Sequence, residues 1–164
     1  MIVTLTESEW VIATHIAHLR QAQNKSAGLP DQRQSKAVDL ITINYALELA
    51  VAKGLNLYPD LEFMRPGIED CMYRGWTIDV KTVRFGHMNV RVKGDKRSEF
   101  YIGCAHQSDT TFDIAGFITH ERMVKQKDQR NENDDGTHYY ALPVEILSKI
   151  SRIDDACDML ENLR

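Results

Sequence analysis

The chain is predicted to have a mixed α/β (α+β) fold, and three features of its pattern say so. Apolar residues recur at helical intervals through the first fifty or so positions, then change to short alternating β-type runs from Leu61 onward. A length of 164 residues with 43% hydrophobic side chains suffices for a sizeable core. No internal repeat or linker interrupts it, so residues 1–164 read as one domain. That domain divides into an N-terminal helical part (1–30), a core (31–145) and a C-terminal helix (146–164).

The first helix starts at a capping box, Thr6 with Glu9, and carries Trp10, Val11, Ile12, Ile16, Ala17 and Leu19. It should fade near Asn24, because Ser26-Ala27-Gly28-Leu29-Pro30 is a breaker cluster. A second helix follows from about Gln32 to Lys53, with Gly54 as its cap. It is apolar nearly all round and should be covered on more than one side. Strands are expected near 61–64, 68–73, 76–84, 88–93, 98–105 and 111–119, with a short helix from His120 to about Lys125. The polar run from Lys125 to Thr137 reads as a mobile surface loop. Tyr139-Tyr140-Ala141-Leu142 reads as a final strand, Pro143 as the first turn of a helix carrying Val144, Ile146 and Leu147, and 154–163 as a terminal helix.

Several classes of protein are disfavoured. No apolar run reaches the ~18–20 residues of a membrane span, and the N-terminus lacks a secretory signal's basic start and apolar stretch. Three widely spaced cysteines (Cys71, Cys104, Cys157) suggest free thiols in a reducing cytoplasm. The net charge of −4 at first disfavours a nucleic-acid partner. It is unevenly spread, however: residues 71–105 carry 7 basic and 3 acidic side chains inside an otherwise acidic chain.

Chemistry concentrates between Ile68 and Lys81. The tripeptide Asp79-Val80-Lys81 means little alone, since a chain of this composition is expected to hold one by chance. Its context is more informative. A hairpin turning at Arg74-Gly75 sets Asp70 across from Asp79, at the ~4.5–5.5 Å Cβ separation of cross-strand neighbours. Alternation then puts Asp70, Thr77, Asp79 and Lys81 on a polar face, and Cys71, Tyr73, Trp76, Ile78 and Val80 on an apolar one. Two adjacent carboxylates repel, so the pair calls for a shared proton or a cation; solvated surface charges in a different register are the alternative. Glu48 stands in the apolar stretch Ala46–Ala52, where an ionised carboxylate needs a partner unless it lies on an exposed stripe with Thr42, Asn44 and Lys53.

The order of these elements, helix with Glu48, strand with Asp70, strand with Asp79-Val80-Lys81, resembles the PD-(D/E)xK, or restriction-endonuclease-like, nuclease superfamily. Leu47-Glu48-Leu49-Ala50-Val51-Ala52, Trp76-Thr77-Ile78-Asp79-Val80-Lys81-Thr82 and Phe112–Thr119 look like segments of small phage-encoded members. The resemblance covers roughly residues 35–145. It implies a central mixed β-sheet flanked by helices, and a divalent-metal-dependent nuclease hydrolysing DNA, with RNA left open as a substrate. On this likeness Asp70 and Asp79 are metal-binding carboxylates, Glu48 is the helix carboxylate that binds metal directly or through water, and Lys81 orients or activates water. Mg²⁺ suits such oxygen ligands, with Mn²⁺ as an alternative. Many relatives act as dimers, so a homodimer is a further expectation, in the cytoplasm of a host cell if the chain is phage-encoded. The family's proline is absent before Asp70, and residues 84–97 read as turn and strand where the common core has a helix.

Arg84, Arg91, Lys93, Lys96 and Arg97 follow the Lys81 strand and are candidate phosphate contacts, with Val90 and Val92 on the face beneath Arg91 and Lys93. The competing function is a catalytically inactive relative that binds nucleic acid or a host protein. His15 with His18 lacks a third ligand, and His106 with Asp109 fits a turn. Cys104 lacks a base and fits a core. No glycine-rich phosphate loop is present.

Overall fold

A computed structural model describes residues 1–26, 37–57, 71–73, 76–92, 98–133 and 138–150. The fold is mixed α+β: the described residues form an eight-stranded sheet with helices α1 (Glu7–Ser26), α2 (Ala37–Gly54) and the short α3 (His120–Val124). The strands are β1 (Ile2–Thr4), β2 (Cys71–Tyr73), β3 (Trp76–Arg84), β4 (His87–Val92), β5 (Phe100–Ser108), β6 (Thr111–Thr119), β7 (Arg130–Glu132) and β8 (His138–Pro143). They run in the order β1-β6-β5-β3-β4-β8-β7, with β2 paired to the start of β3. The β3–β5 pair is parallel and the others are antiparallel.

The capping box forms as expected. The Thr6 N–H donates to Glu9 Oε2 at 2.6 Å and the Glu9 N–H donates to Thr6 Oγ1 at 3.3 Å. Lys53, in the last turn of α2, ties this helix start to the sheet by donating to Glu9 Oε2 (2.8 Å) and to the Thr4 carbonyl (2.9 Å). Partial burial pushes the Glu9 carboxyl up, but the hydrogen bonds from Lys53 and Thr6 outweigh it and hold it below the ordinary 4.5. A depressed carboxylate stabilises the fold fully above the unfolded-state pKa, and that contribution is lost as pH falls through the lowered folded value. Since the pair is about one-third exposed, the effect is no more than about 1 kcal/mol. Urea unfolding between pH 7 and pH 3 should show Lys53→Met removing that part of the acid sensitivity. An identical pH profile for the variant would remove this assignment.

Two cores lie on opposite faces of the sheet. On one, α1 and α2 cover Ile78, Phe100, Ile102, Cys104, Phe112, Ile114 and Phe117, joined by the half-buried Trp76 and Val80. The α1 contribution comes from Trp10, Ala13, Ile16 and Ala17, while Val11, Ile12 and Leu19 of the expected stripe are exposed. As its all-round apolar sequence requires, α2 is covered both by α1 and by the sheet. On the other face, Met88 and Val90 of β4 and Tyr140 and Leu142 of β8 join Tyr101, Ile118, Met123 and Leu147.

The two faces exchange positions along β6. Register shifts between Gly103 and Cys104, so that Gly103 faces Gly116 but Cys104 faces Ile114. Ile114 and Phe117 thus serve the helical core, and Ala115 and Ile118 the other. Gly116 sits at φ 155°, and a Cβ there would lie 2.5 Å from the Ser148 carbonyl oxygen. That carbonyl also accepts from the Phe117 N–H at 2.9 Å. Gly116→Ala should therefore cost about 2 kcal/mol or more in denaturant-measured stability. Unchanged stability would show that Ser148 yields freely.

Several expected elements are corrected. Ile2–Thr4 is a strand, β1, too short to show a period; it pairs with β6 through Val3↔Phe112. The polar run after Lys125 is not wholly a loop: a 3₁₀ turn at Lys127–Gln129 leads into β7, which pairs with β8. Backbone pairing at this edge needs no apolar residues, so the composition hid it. Pro143 ends β8, and Val144–Ile146 is a single 3₁₀ turn rather than a helix. Ser148 then pairs with Phe117, which draws the chain into extended form. The described part of the second helix begins at Ala37. The expected strand at 61–64, positions 68–70 and the terminal helix lie outside the described residues.

Candidate functional site

The hairpin joining β2 to β3 has the anticipated register at each described pair: Cys71↔Ile78, Met72↔Thr77 and Tyr73↔Trp76. Asp70, the next position, lies outside the described residues. Along β3 the alternation is also as expected. Trp76, Ile78 and Val80 belong to the helical core, while Val83 packs in the opposite one. Asp79 and Lys81 share Val83's parity and so project from the face away from α1 and α2.

The described pairing of β3 with β2 ends at Ile78, and that with β4 begins at Val83. Asp79–Thr82 lies between them, held throughout by the parallel neighbour β5. The Lys81 ammonium donates to Asp79 Oδ1. Their side chains are 27% and 23% exposed, neither fully solvated nor sealed from a substrate.

Glu48 is half-buried and already engaged in an interaction. It lies one turn from Asn44, whose Oδ1 accepts from the Thr82 hydroxyl at 3.3 Å. The Asn44–Glu48 stripe therefore faces β3, but from the side opposite to Asp79 and Lys81. Among the described residues, no three His, Cys, Asp or Glu side chains converge to hold a metal ion.

Structure adds neighbours that the sequence did not reveal. The parallel register sets Tyr101 directly beside Asp79 and Gly103 beside Lys81. The Tyr101 hydroxyl and His120 Nδ1 are hydrogen-bonded at 3.1 Å. Glu99 Oε2 accepts from the Thr77 N–H (2.8 Å) and hydroxyl (3.1 Å), one row along the same face. These residues follow Asp79 by twenty or more positions, and a parallel crossover leaves no local trace of which residues it aligns.

Arg84 and Arg91 are exposed. Arg84 pairs with His87, and Arg91 follows with the same parity on β4, whereas Met88 and Val90 point into the core. The two arginines thus occupy the outer face of the β4-β8-β7 part, not the face of Asp79 and Lys81. Lys93, Lys96 and Arg97 lie outside the described residues.

The discounted residues stay discounted. His106 Nε2 hydrogen-bonds the Asp109 carbonyl within the β5–β6 turn. His15 and His18 are exposed on α1. Cys104 is fully buried, and burial, followed by the Asp113 charge, pushes its thiol up to about 12, the behaviour of a core thiol. No described helix is long and apolar enough to cross a membrane. No family model, curated protein or solved structure matches the chain.

Proposed function

We propose that the chain is a divalent-metal-dependent nuclease of restriction-endonuclease-like fold that hydrolyses DNA phosphodiester bonds. The observation that carries this reading is the β2–β3 hairpin. Its three described pairs have the register on which the sequence reading of Asp70 opposite Asp79 rests, and Lys81 holds Asp79. The parallel β3–β5 pair and α2 against β3 are compatible with the mixed sheet of that fold.

Mg²⁺ needs only one or two protein carboxylates when water and substrate phosphate complete its shell, so Asp79 with Asp70 is a suitable donor set. When bound, the ion would supply Lewis-acid polarisation of the phosphate and a water of lowered pKa. Asp79 fixes the Lys81 ammonium at the same point. Lys81 is thereby positioned to hydrogen-bond an attacking water or to offset charge growing on a phosphate oxygen. Glu48, on the α2 side of β3, lies on the opposite face from Asp79 and Lys81, so the role that the resemblance implies for it is left out of this set.

The test is incubation with linear, circular, single-stranded and branched DNA, and with RNA, in Mg²⁺, Mn²⁺ or EDTA. Cleavage of at least one substrate with metal and none with EDTA is the expected result. Equal cleavage in EDTA would refute the metal role. Absence of cleavage on every substrate would leave the binding-module alternative in its place.

A further inference from the structure

The turn between β3 and β4 consists of Phe85 and Gly86, both left-handed, at φ 50° and φ 76°. Two-residue turns of this kind favour Asn, Asp or Gly at the first position, and a bulky residue there is a genuine outlier. The Phe85 ring is fully exposed, so no packing among the described residues accounts for it. The turn is nonetheless held firmly. His87 Nδ1 hydrogen-bonds the Phe85 carbonyl at 3.0 Å, and the Val144 N–H donates to the Gly86 carbonyl at 3.0 Å. A strained backbone thus presents an aromatic ring on a stiff stem.

The face below the ring has one electrostatic character. Strand parity groups Arg84, His87, Asn89 and Arg91, with Tyr139 opposite Arg91 and Asn131 opposite Tyr139. Among the described residues on that strand face there is no carboxylate. Cations and amides beside an unpartnered ring complement a polyanion with exposed π faces, such as an unpaired nucleic-acid strand, rather than an apolar protein groove.

We propose that the β3–β4 hairpin is a nucleic-acid-engaging finger: Phe85 stacks on an unpaired nucleobase while Arg84 and Arg91 hold adjacent phosphates. The Cα of Phe85 is at most roughly 13 Å from that of Lys81 along the strand and turn, but Arg84 and Arg91 lie on the sheet face opposite to Lys81, so the finger is a contact separate from Lys81. This inference rests on the nucleic-acid part of the reading above and not on cleavage.

The test uses the whole chain in EDTA, with a fluorescent single-stranded oligonucleotide and a second one containing 2-aminopurine. Phe85→Asn suits the turn and should keep or raise the melting temperature, yet weaken single-strand binding roughly 5- to 100-fold, the loss of about one stacked base. The parent should quench 2-aminopurine and Phe85→Asn should not, while Phe85→Trp should retain both binding and quenching. Arg91→Ala should lower the salt slope by about 0.7. Deoxy and ribo versions of the oligonucleotide distinguish the two sources of the base. Parental affinity in Phe85→Asn, or a parent that binds neither strand, would overturn the proposal and turn attention to a protein partner. A parent that quenches 2-aminopurine but never cleaves would reject the nuclease reading alone.

Discussion

Lys81→Met and Asp79→Asn are each expected to lower Mg²⁺-dependent cleavage by about 10²- to 10⁴-fold, the range for losing a charged group that acts in the transition state. The two side chains are joined in one ion pair and emerge from one strand face beside Tyr101. Either substitution therefore removes both a charge and the group that positions it. Folding should change little. The pair is about a quarter exposed, and its stabilisation is on the order of 1 kcal/mol or less. Methionine keeps the aliphatic stem of Lys81, and asparagine keeps the shape of Asp79. The measurement is initial cleavage rate alongside urea unfolding. Variants that fold normally and cut at the parental rate would place the active site elsewhere.

The largest expected loss of stability is at Phe100. It is fully buried in the helical core, edge-on to Trp76 at 5.7 Å and tilted against Phe117 at 5.8 Å. It also pairs with Ile78, one residue before Asp79. Phe100→Ala should cost about 3–5 kcal/mol, a large share of the ~5–15 kcal/mol that holds a typical domain. The expected readout is a lower urea midpoint at unchanged slope. A loss below about 1 kcal/mol would mean that the cavity collapses and that this ring is not a keystone of the core.

Local periodicity was a good guide wherever one face of an element meets the core. The bounds of β3 read directly from the chain because alternation runs unbroken to the turn after Arg84. Those of β6 do so because its apolar run lies between a turn and the cap at Thr119, although a register shift interrupts its alternation. The β2–β3 register was legible for the same reason: a slip by one residue would put Asp79 and Lys81 into the layer that Ile78 and Val80 occupy. Legibility failed where backbone pairing does the work. In β7 all three residues are exposed, and after Pro143 a bridge between Phe117 and Ser148 replaces the expected helix. No side-chain period marks either feature.

The acid–lysine strand and the direction in which its side chains alternate were thus written in the residues, because they depend on neighbours a few positions apart. Which distant groups share the face of Asp79 and Lys81 was not. Tyr101 and Glu99 reach it through the parallel β3–β5 register, and α2 brings Glu48 to β3 from the other side. Arg84 and Arg91 follow the Lys81 strand closely in sequence, yet strand parity at the β3–β4 hairpin assigns them to the opposite face. Alternation fixes which way a side chain leaves its own strand. Long-range pairing and the packing of two cores fix what it then meets.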